Sequence, residues 1–265
     1  KRQRGSTQGS LDVYRGALRL GVAFSNHTTV PESAKSTGAA RWHAKPIESA
    51  FIPVKDMLSN APGFRALYAR RELHFEEVYA DILDRASLPQ LRGPIDKERK
   101  ALLSILQEHM RGKVAIKNEE FFLRSKQGNL EFSLLAEGIR KLGLLWLLIQ
   151  NGTLLSGSVL FWDEPETNLN PKLYGAVIEI LLALQRSGVQ VFLATHDYVV
   201  LKELDLQGKP EDKIRYHALH HSKETNEIAC NSGESYLNID PNAIAQTFDD
   251  LYDREITRSL DGMGE

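Results

Sequence analysis

The chain has 265 residues, enough to bury a core as one large domain or as one domain carrying an insertion. Its 33 basic and 35 acidic residues leave a formal net charge of −2, which neither demands nor excludes nucleic acid. One cysteine, Cys230, excludes a disulfide framework and a thiolate zinc site and fits a reducing compartment; the longest apolar stretch, residues 142–149, is too short to span a bilayer, and no signal peptide is visible.

In chain order, residues 1–10 are polar, basic and contain Gly and Ser, which predicts a mobile start. The chain opens Lys1-Arg2-Gln3-Arg4 without an initiator Met, so we expect part of a longer polypeptide. Leu18, Leu20, Val22 and Phe24 alternate and predict a half-buried strand, and residues 25–45 read as loop. Phe51-Ile52-Pro53-Val54 is a short apolar segment ending at Lys55-Asp56. Helical stripes follow, first Phe75, Val78, Tyr79, Ile82 and Leu83, then Leu102, Leu103, Leu106 and Met110, broken by Pro89, Gly93 and Pro94. Gln127-Gly128-Asn129 between apolar runs predicts a hairpin, and a helix is expected over 136–150. Beyond it come a strand ending at Asp163, a helix over 171–186, a strand over 189–194, a short helix to Leu204, a second hairpin near 214–230 and an amphipathic helix over 242–260. Asn170-Pro171 is a good helix start, with Asn as cap and Pro in the first turn.

The run Ser158-Val-Leu-Phe-Trp-Asp-Glu-Pro-Glu166 carries the most chemistry. Its apolar part reads as a strand buried on both faces of a parallel sheet, and it leads straight into Asp163 and Glu164. Ionised carboxylates beside such a core are costly unless they meet a cation or do chemistry. A second apolar run, Val189-Gln-Val-Phe-Leu-Ala194, ends in Thr195-His196-Asp197. Polar groups at the ends of two neighbouring buried strands face the crevice where α/β sheets bind ligands, a pattern that suits a magnesium-dependent nucleotide triphosphatase. On that reading Asp163 holds hydrated Mg2+, Glu164 orients or deprotonates water, and His196 donates to a γ-phosphate oxygen. The competing readings are a capped acidic turn and a hydrogen-bonded core histidine. His217, His220 and His221 match metal spacing only loosely and suit a surface hairpin better.

These residues carry a family resemblance. Asp163-Glu164-Pro165-Glu166 resembles the Walker B segment of ABC-class ATPases, and is most similar to the soluble branch: structural-maintenance-of-chromosomes proteins, RecF- and OLD-like enzymes and AAA-family ATPases of bacterial defence operons. Thr167-Asn168-Leu169-Asn170-Pro171 stands at the D-loop position, Ala194-Thr195-His196 resembles the switch-histidine motif, and Leu134-Leu135-Ala136-Glu137-Gly138 resembles the ABC signature, with Ala136 where Ser is usual. Transporter subunits usually read differently after the Walker B acids, which disfavours a transporter. The resemblance implies an α/β P-loop NTPase fold of the ABC ATPase head type, with a buried, mostly parallel sheet flanked by helices. It implies ATP and Mg2+ as ligands, Ala136, Glu137, Gly138, Asn168, Asn170 and Thr195 as nucleotide-side residues, and a second head as partner in a homodimer. A nuclease or toxin partner, contact with DNA or RNA, a cytoplasmic bacterial setting without membrane, and a role in antiviral defence or DNA repair belong to the same expectation. The organisation expected is 1–59 as the remainder of an N-terminal lobe, 60–112 as a helical insertion and 113–265 as a C-terminal ATPase lobe.

One departure stands out: no G-x-x-x-x-G-K-[ST] occurs. Ala34-Lys35-Ser36-Thr37 imitates its last positions, but Thr29 and Ala34 replace both glycines, and Gly112-Lys113 is followed by Val. The phosphate loop is therefore expected upstream of Lys1 or on a separate segment, and the chain alone is expected to bind ATP poorly. A nucleotide-sensing scaffold that assembles a partner with little hydrolysis is the alternative. Lys55 reads as an exposed strand-end lysine or a γ-phosphate contact. Arg65, Arg70, Arg71, Arg140 and Lys141 read as a solvated helical face or as contacts to nucleic acid or a partner.

Overall fold

A computed structural model describes residues 8–25, 33–70, 75–222 and 227–261. The backbone divides into two compact units, Lys1–Ile47 and Glu48–Glu265. In the first, β1 (Gln8–Arg15) and β2 (Leu18–Ser25) form an antiparallel hairpin; β3 (Lys35–Thr37) pairs on the other side of β2, and α1 (Ala39–His43) follows. The expected strand at 18–24 is β2. The expected mobile start and the loop over 25–45 need correction: residues 8–10 belong to β1, while 35–37 and 39–43 are regular elements. Leu11, Val13 and Tyr14 of β1 stay exposed, so no buried face marks the strand in the sequence. Ala34-Lys35-Ser36-Thr37 is not a phosphate loop, because Lys35, Ser36 and Thr37 pair antiparallel with Ala23, Val22 and Gly21. Residues 1–7, Thr29 and Arg71 lie outside the described residues.

The second unit opens with β4 (Ser49–Ile52), then α2 (Phe64–Ala69), α3 (Glu77–Ala86) and α4 (Lys97–Met110). The two helical stripes of the sequence bury Ile82 and Leu83 on α3, and Leu102, Leu103, Leu106 and Met110 on α4. Asp96 caps α4 by accepting from the Arg99 amide at 2.7 Å. A small antiparallel sheet of β5 (Gly112–Lys117), β6 (Glu120–Ser125) and β7 (Gly128–Glu131) follows. Gly112-Lys113 opens β5 and is a strand start.

Next come α5 (Glu137–Gln150), β8 (Val159–Asp163), α6 (Tyr174–Arg186), β9 (Gln190–Ala194) and α7 (Tyr198–Gln207). A hairpin of β10 (Tyr216–His221) and β11 (Ile228–Gly233) and the helix α8 (Ala243–Asp261) end the described chain. Every residue from 141 to 149 on α5 is buried, as expected of a helix enclosed on all sides. Asn170 caps the turn before α6, its Oδ1 accepting from the Lys172 amide at 3.0 Å, with Pro171 in the first turn.

The third sheet is parallel, in the order β4-β8-β9, so β8 is its centre and all three strands end at one edge. Ala50, Ile52, Leu160 and Trp162 point into the core and are at most 2% exposed. Leu142, Leu145, Ile178 and Leu184 of the helices belong to the same core. The opposite face is different. Phe51, Phe161 and Phe192 stand in register across the three strands, and Phe161 and Phe192 stack with ring centroids 4.9 Å apart. Phe161 is 40% exposed and Phe192 48%. The expectation that β8 is buried on both faces is therefore corrected. An apolar run records what a strand would bury but not whether the covering element lies within the same stretch of chain.

Arg186 at the end of α6 makes a fork with Asp212, which follows α7, through Nε to Oδ1 at 2.8 Å and Nη2 to Oδ2 at 2.6 Å. Asp212 also accepts from the Lys209 amide at 2.8 Å. The hydrogen bond from Arg186 holds the Asp212 carboxyl below its ordinary value of 3.8. Folding then favours the ionised form. The stabilisation is fully present above that ordinary value and is lost as pH falls through the lowered one. Asp212→Ala is expected to cost about 1–2 kcal/mol at neutral pH, the range of about 1.5–3 kcal/mol for hydrogen bonds to charged groups reduced by solvent screening at the 36% exposed Arg186, and much less in strong acid; urea unfolding at the two pH values measures it.

Candidate active site at the ends of β8 and β9

Parallel pairing brings the end of β4, the end of β8 and the end of β9 to one edge. Asp163 is the last residue of β8 and stands opposite Ala194. The Glu164 amide donates to the Ala194 carbonyl at 2.9 Å, which carries the pairing one residue further and fixes Glu164 against β9. Glu164 then takes φ 46°, a left-handed conformation uncommon for a residue with a side chain, and Asn168 takes φ 58°. Between them the chain makes a compact turn: the Thr167 amide donates to the Glu164 carbonyl at 3.1 Å, and the Leu169 amide to the Glu166 carbonyl at 2.9 Å. Such strain collects where a side chain must be aimed.

The two acidic residues of the pair are aimed differently. Among the described residues the Asp163 carboxylate makes no hydrogen bond or ion pair. Glu164 accepts from Thr167 Oγ1 at 2.9 Å through Oε2, while its Oε1 lies 3.4 Å from His196 Nδ1. The His196 side chain is 73% exposed at the end of β9. Thr195 does not face outward: its Oγ1 donates to Glu166 Oε1 at 2.7 Å and accepts from the Asp197 amide at 3.1 Å. Asp197 caps α7, accepting from the Val199 and Val200 amides.

Glu166 is the residue that sequence reasoning left without a role. It is buried, its Oε1 takes the Thr195 hydroxyl and, at 3.3 Å, the His196 amide, and its Oε2 has no partner among the described residues. It thus ties the turn after β8 to the turn after β9 and sets the backbone from which His196 projects. The signal was available in the third acid of Asp-Glu-Pro-Glu, three residues after Asp163.

The first turn of α5 lies against this turn. Ala136 is exposed at the N-cap and provides no side-chain cap. Gly138 is buried because α5 approaches Leu169 closely; a Cβ there would sit 2.7 Å from Leu169 Cδ1. Glu137 Oε2 accepts from Asn168 Nδ2 at 3.0 Å. Asn168 and Asn170 are both exposed. Arg140 and Lys141 are not a solvated face, and that expectation is corrected. Arg140 Nε donates to Asp56 Oδ2 at 2.6 Å, and the Asp56 side chain is 2% exposed. Lys141 is 2% exposed and its Nζ donates to the Thr167 carbonyl at 2.5 Å and the Glu164 carbonyl at 3.4 Å. Burial pushes the Lys141 ammonium down from its ordinary value, against the pull of the surrounding Glu137, Glu166, Asp56 and Glu164 carboxylates. Lys55 is exposed just past β4, while Arg65 pairs with Asp84 at 2.5 Å.

No cluster of three or more His, Cys, Asp or Glu among the described residues is arranged to hold a metal. A cation at this edge would therefore rest on Asp163 with oxygen from water and ligand, the manner in which Mg2+ is commonly held. His217 lies in β10, where its Nδ1 meets Ser232 Oγ at 2.7 Å, in a hairpin as expected. No helix among the described residues is long and apolar enough to cross a membrane.

A central parallel strand ending in two acids, a neighbouring strand ending in Thr-His, and flanking helices define an α/β NTPase fold of the ABC ATPase head type. The chain belongs to the family described as "AAA domain, putative AbiEii toxin, Type IV TA system", whose model matches residues 20–202. Among solved structures it is similar to an SMC head bound to the C-terminal winged-helix domain of ScpA, at 10% identity and TM-score 0.50, covering 88% of this chain and 77% of that one. It is also similar to the SMC head domain from Thermotoga maritima, at 10% identity and TM-score 0.41, covering 84% of this chain and 73% of that one. An ATP-binding cassette of an ABC transporter in its ADP conformation matches at 14% identity and TM-score 0.31, with 70% and 63% covered. Among curated proteins none matches.

Proposed function

We propose that the intact protein binds and hydrolyses ATP at the edge formed by β4, β8 and β9. The observation that carries this reading is the left-handed Glu164, held by the Ala194 carbonyl so that its carboxylate meets His196 beside Asp163, which has no partner among the described residues. Bound Mg2+ would supply charge neutralisation on the phosphate oxygens, with Asp163 as its protein ligand. Glu164 accepts a proton from the attacking water or orients it in line. His196, exposed and already turned toward Glu164, donates to the γ-phosphate oxygen. Thr195 acts on the nucleotide side chiefly by holding Glu166, and so His196, in place.

The phosphate cradle is the part these residues do not supply. We assign it to a glycine-rich segment outside this sequence, whose helix would cover Phe51, Phe161 and Phe192. The exposed aromatic face supports this, since parallel sheets are covered on both sides. Two heads would close around nucleotide, with Ala136, Glu137 and Gly138 facing the partner's phosphates and Asn168 and Asn170 at the seam. We place this activity in the cytoplasm, driving or switching a nuclease or toxin partner in antiviral defence or DNA repair, with DNA or RNA within its reach.

A second reading has its own support. Ala136 lacks the hydroxyl usual at its position, and Glu164 is held by Thr167 and His196. Both favour a scaffold that senses nucleotide and turns it over slowly. Phosphate release by the natural full-length protein separates the two. Magnesium-dependent turnover is expected. Tight ATP binding with no release above background would move the account to the scaffold, and no nucleotide binding would end both.

A further inference from the structure

We propose that Lys141 is a positioning residue for Glu164, acting through the backbone of the turn that follows β8. This rests on the reading of Glu164 as the group that activates water.

A lysine buried to 2% exposure on a core helix needs a reason, because desolvating an ammonium is costly. Here the ammonium is spent on main-chain oxygens. Nζ donates to the Thr167 carbonyl at 2.5 Å and reaches the Glu164 carbonyl at 3.4 Å. The Glu164 carbonyl is also the acceptor for the Thr167 amide, so one cation gathers both ends of the four-residue turn. The turn opens on one strained position, Glu164 at φ 46°, and is followed at once by another, Asn168 at φ 58°. Neither conformation is one an L-residue adopts freely, so something must hold it. The Thr167 hydroxyl, which fixes Glu164 Oε2 at 2.9 Å, sits on the same residue whose carbonyl Lys141 grips. Lys141 therefore bears on both the backbone and the side-chain direction of Glu164 through main-chain oxygens, with no hydrogen bond to the carboxylate among the described residues.

The neighbouring residue repeats the device on the other side. Arg140 donates to the buried Asp56 just past β4 and to the Leu135 carbonyl. Two consecutive basic residues on α5 thus tie one helix start to two strand ends of the same sheet.

The test uses the natural full-length protein. Lys141→Met keeps the volume and removes the donor, and Lys141→Gln keeps an amide donor in the same direction. Lys141→Met is expected to lower ATP turnover by roughly 10- to 100-fold, the effect of misplacing a catalytic group by about 1 Å, while nucleotide affinity changes less than about twofold. In a Glu164→Gln background the same change is expected to lower turnover no further, because residues that act as one unit are not additive. Lys141→Gln is expected to restore part of the rate. If the Met variant does not fold, the Gln variant and its Glu164→Gln double carry the same comparison. Wild-type turnover in a folded Lys141→Met protein, or a loss fully additive with Glu164→Gln, overturns the proposal and leaves the role of Glu164 standing. A wild-type protein whose turnover is indifferent to Glu164→Gln overturns the underlying reading, and this proposal with it.

Discussion

Glu164→Gln is expected to lower phosphate release by roughly 100- to 10,000-fold, the contribution of a positioned general base. The substitution preserves size and most hydrogen bonding: the amide can still accept from Thr167 Oγ1, and the fold should not register the change. Nucleotide affinity should therefore survive, and the protein should accumulate with ATP bound. Steady-state phosphate release and nucleotide binding, measured on the same preparation, separate this from unfolding. Equal release by wild type and variant would remove Glu164 from the chemistry, whatever the fold.

The largest structural effect is expected at Trp162, the residue before Asp163. It is 1% exposed at the centre of the sheet, and Trp162→Ala should cost about 3–5 kcal/mol through lost transfer energy and a residual cavity. The cost falls on the site as well, because the strand that presents Asp163 and Glu164 is packed through this ring. Trp162→Phe should cost much less. The indole Nε1 is buried with no hydrogen-bond partner among the described residues, so removing it deletes an unsatisfied donor along with some volume. Denaturant unfolding of the two variants decides the point: similar losses would mean that the ring edge, and not its bulk, holds the strand.

Much of this was legible in the chain. The strand at 159–163 and the helices at 137–150 and 174–186 follow from apolar periodicity, since each buries a face, while the strand at 190–194 and both hairpins follow from apolar runs and turn residues, although no residue of β9, β10 or β11 is buried. Asp-Glu and Thr-His were read at the ends of two neighbouring strands, and β8 and β9 do end side by side. Three features were not legible, each for a physical reason. β1 has no buried face and is held by pairing with β2, a register that composition does not encode. Phe161 and Phe192 have the apolar character of core residues while one face of their sheet lies open. Arg140 and Lys141 look like a solvated helical face because their partners are a carboxylate 84 residues away and main-chain carbonyls 23 and 26 residues away, and a backbone oxygen leaves no mark on a sequence. Glu166 did leave a mark, as the third acid of Asp-Glu-Pro-Glu, and its partners, the Thr195 hydroxyl and the His196 amide, stand just past the end of β9.

The most direct test is a structure of the natural full-length protein with Mg2+ and a non-hydrolysable ATP analogue. The account predicts the triphosphate at the edge of β4, β8 and β9, with Asp163 in the cation's coordination or hydration shell. It predicts Glu164 within hydrogen-bond reach of a water in line with the γ-phosphate, and the His196 ring turned onto that phosphate. A triphosphate bound away from the ends of β8 and β9, or one at that edge with Asp163 and Glu164 both remote from it, would contradict the account.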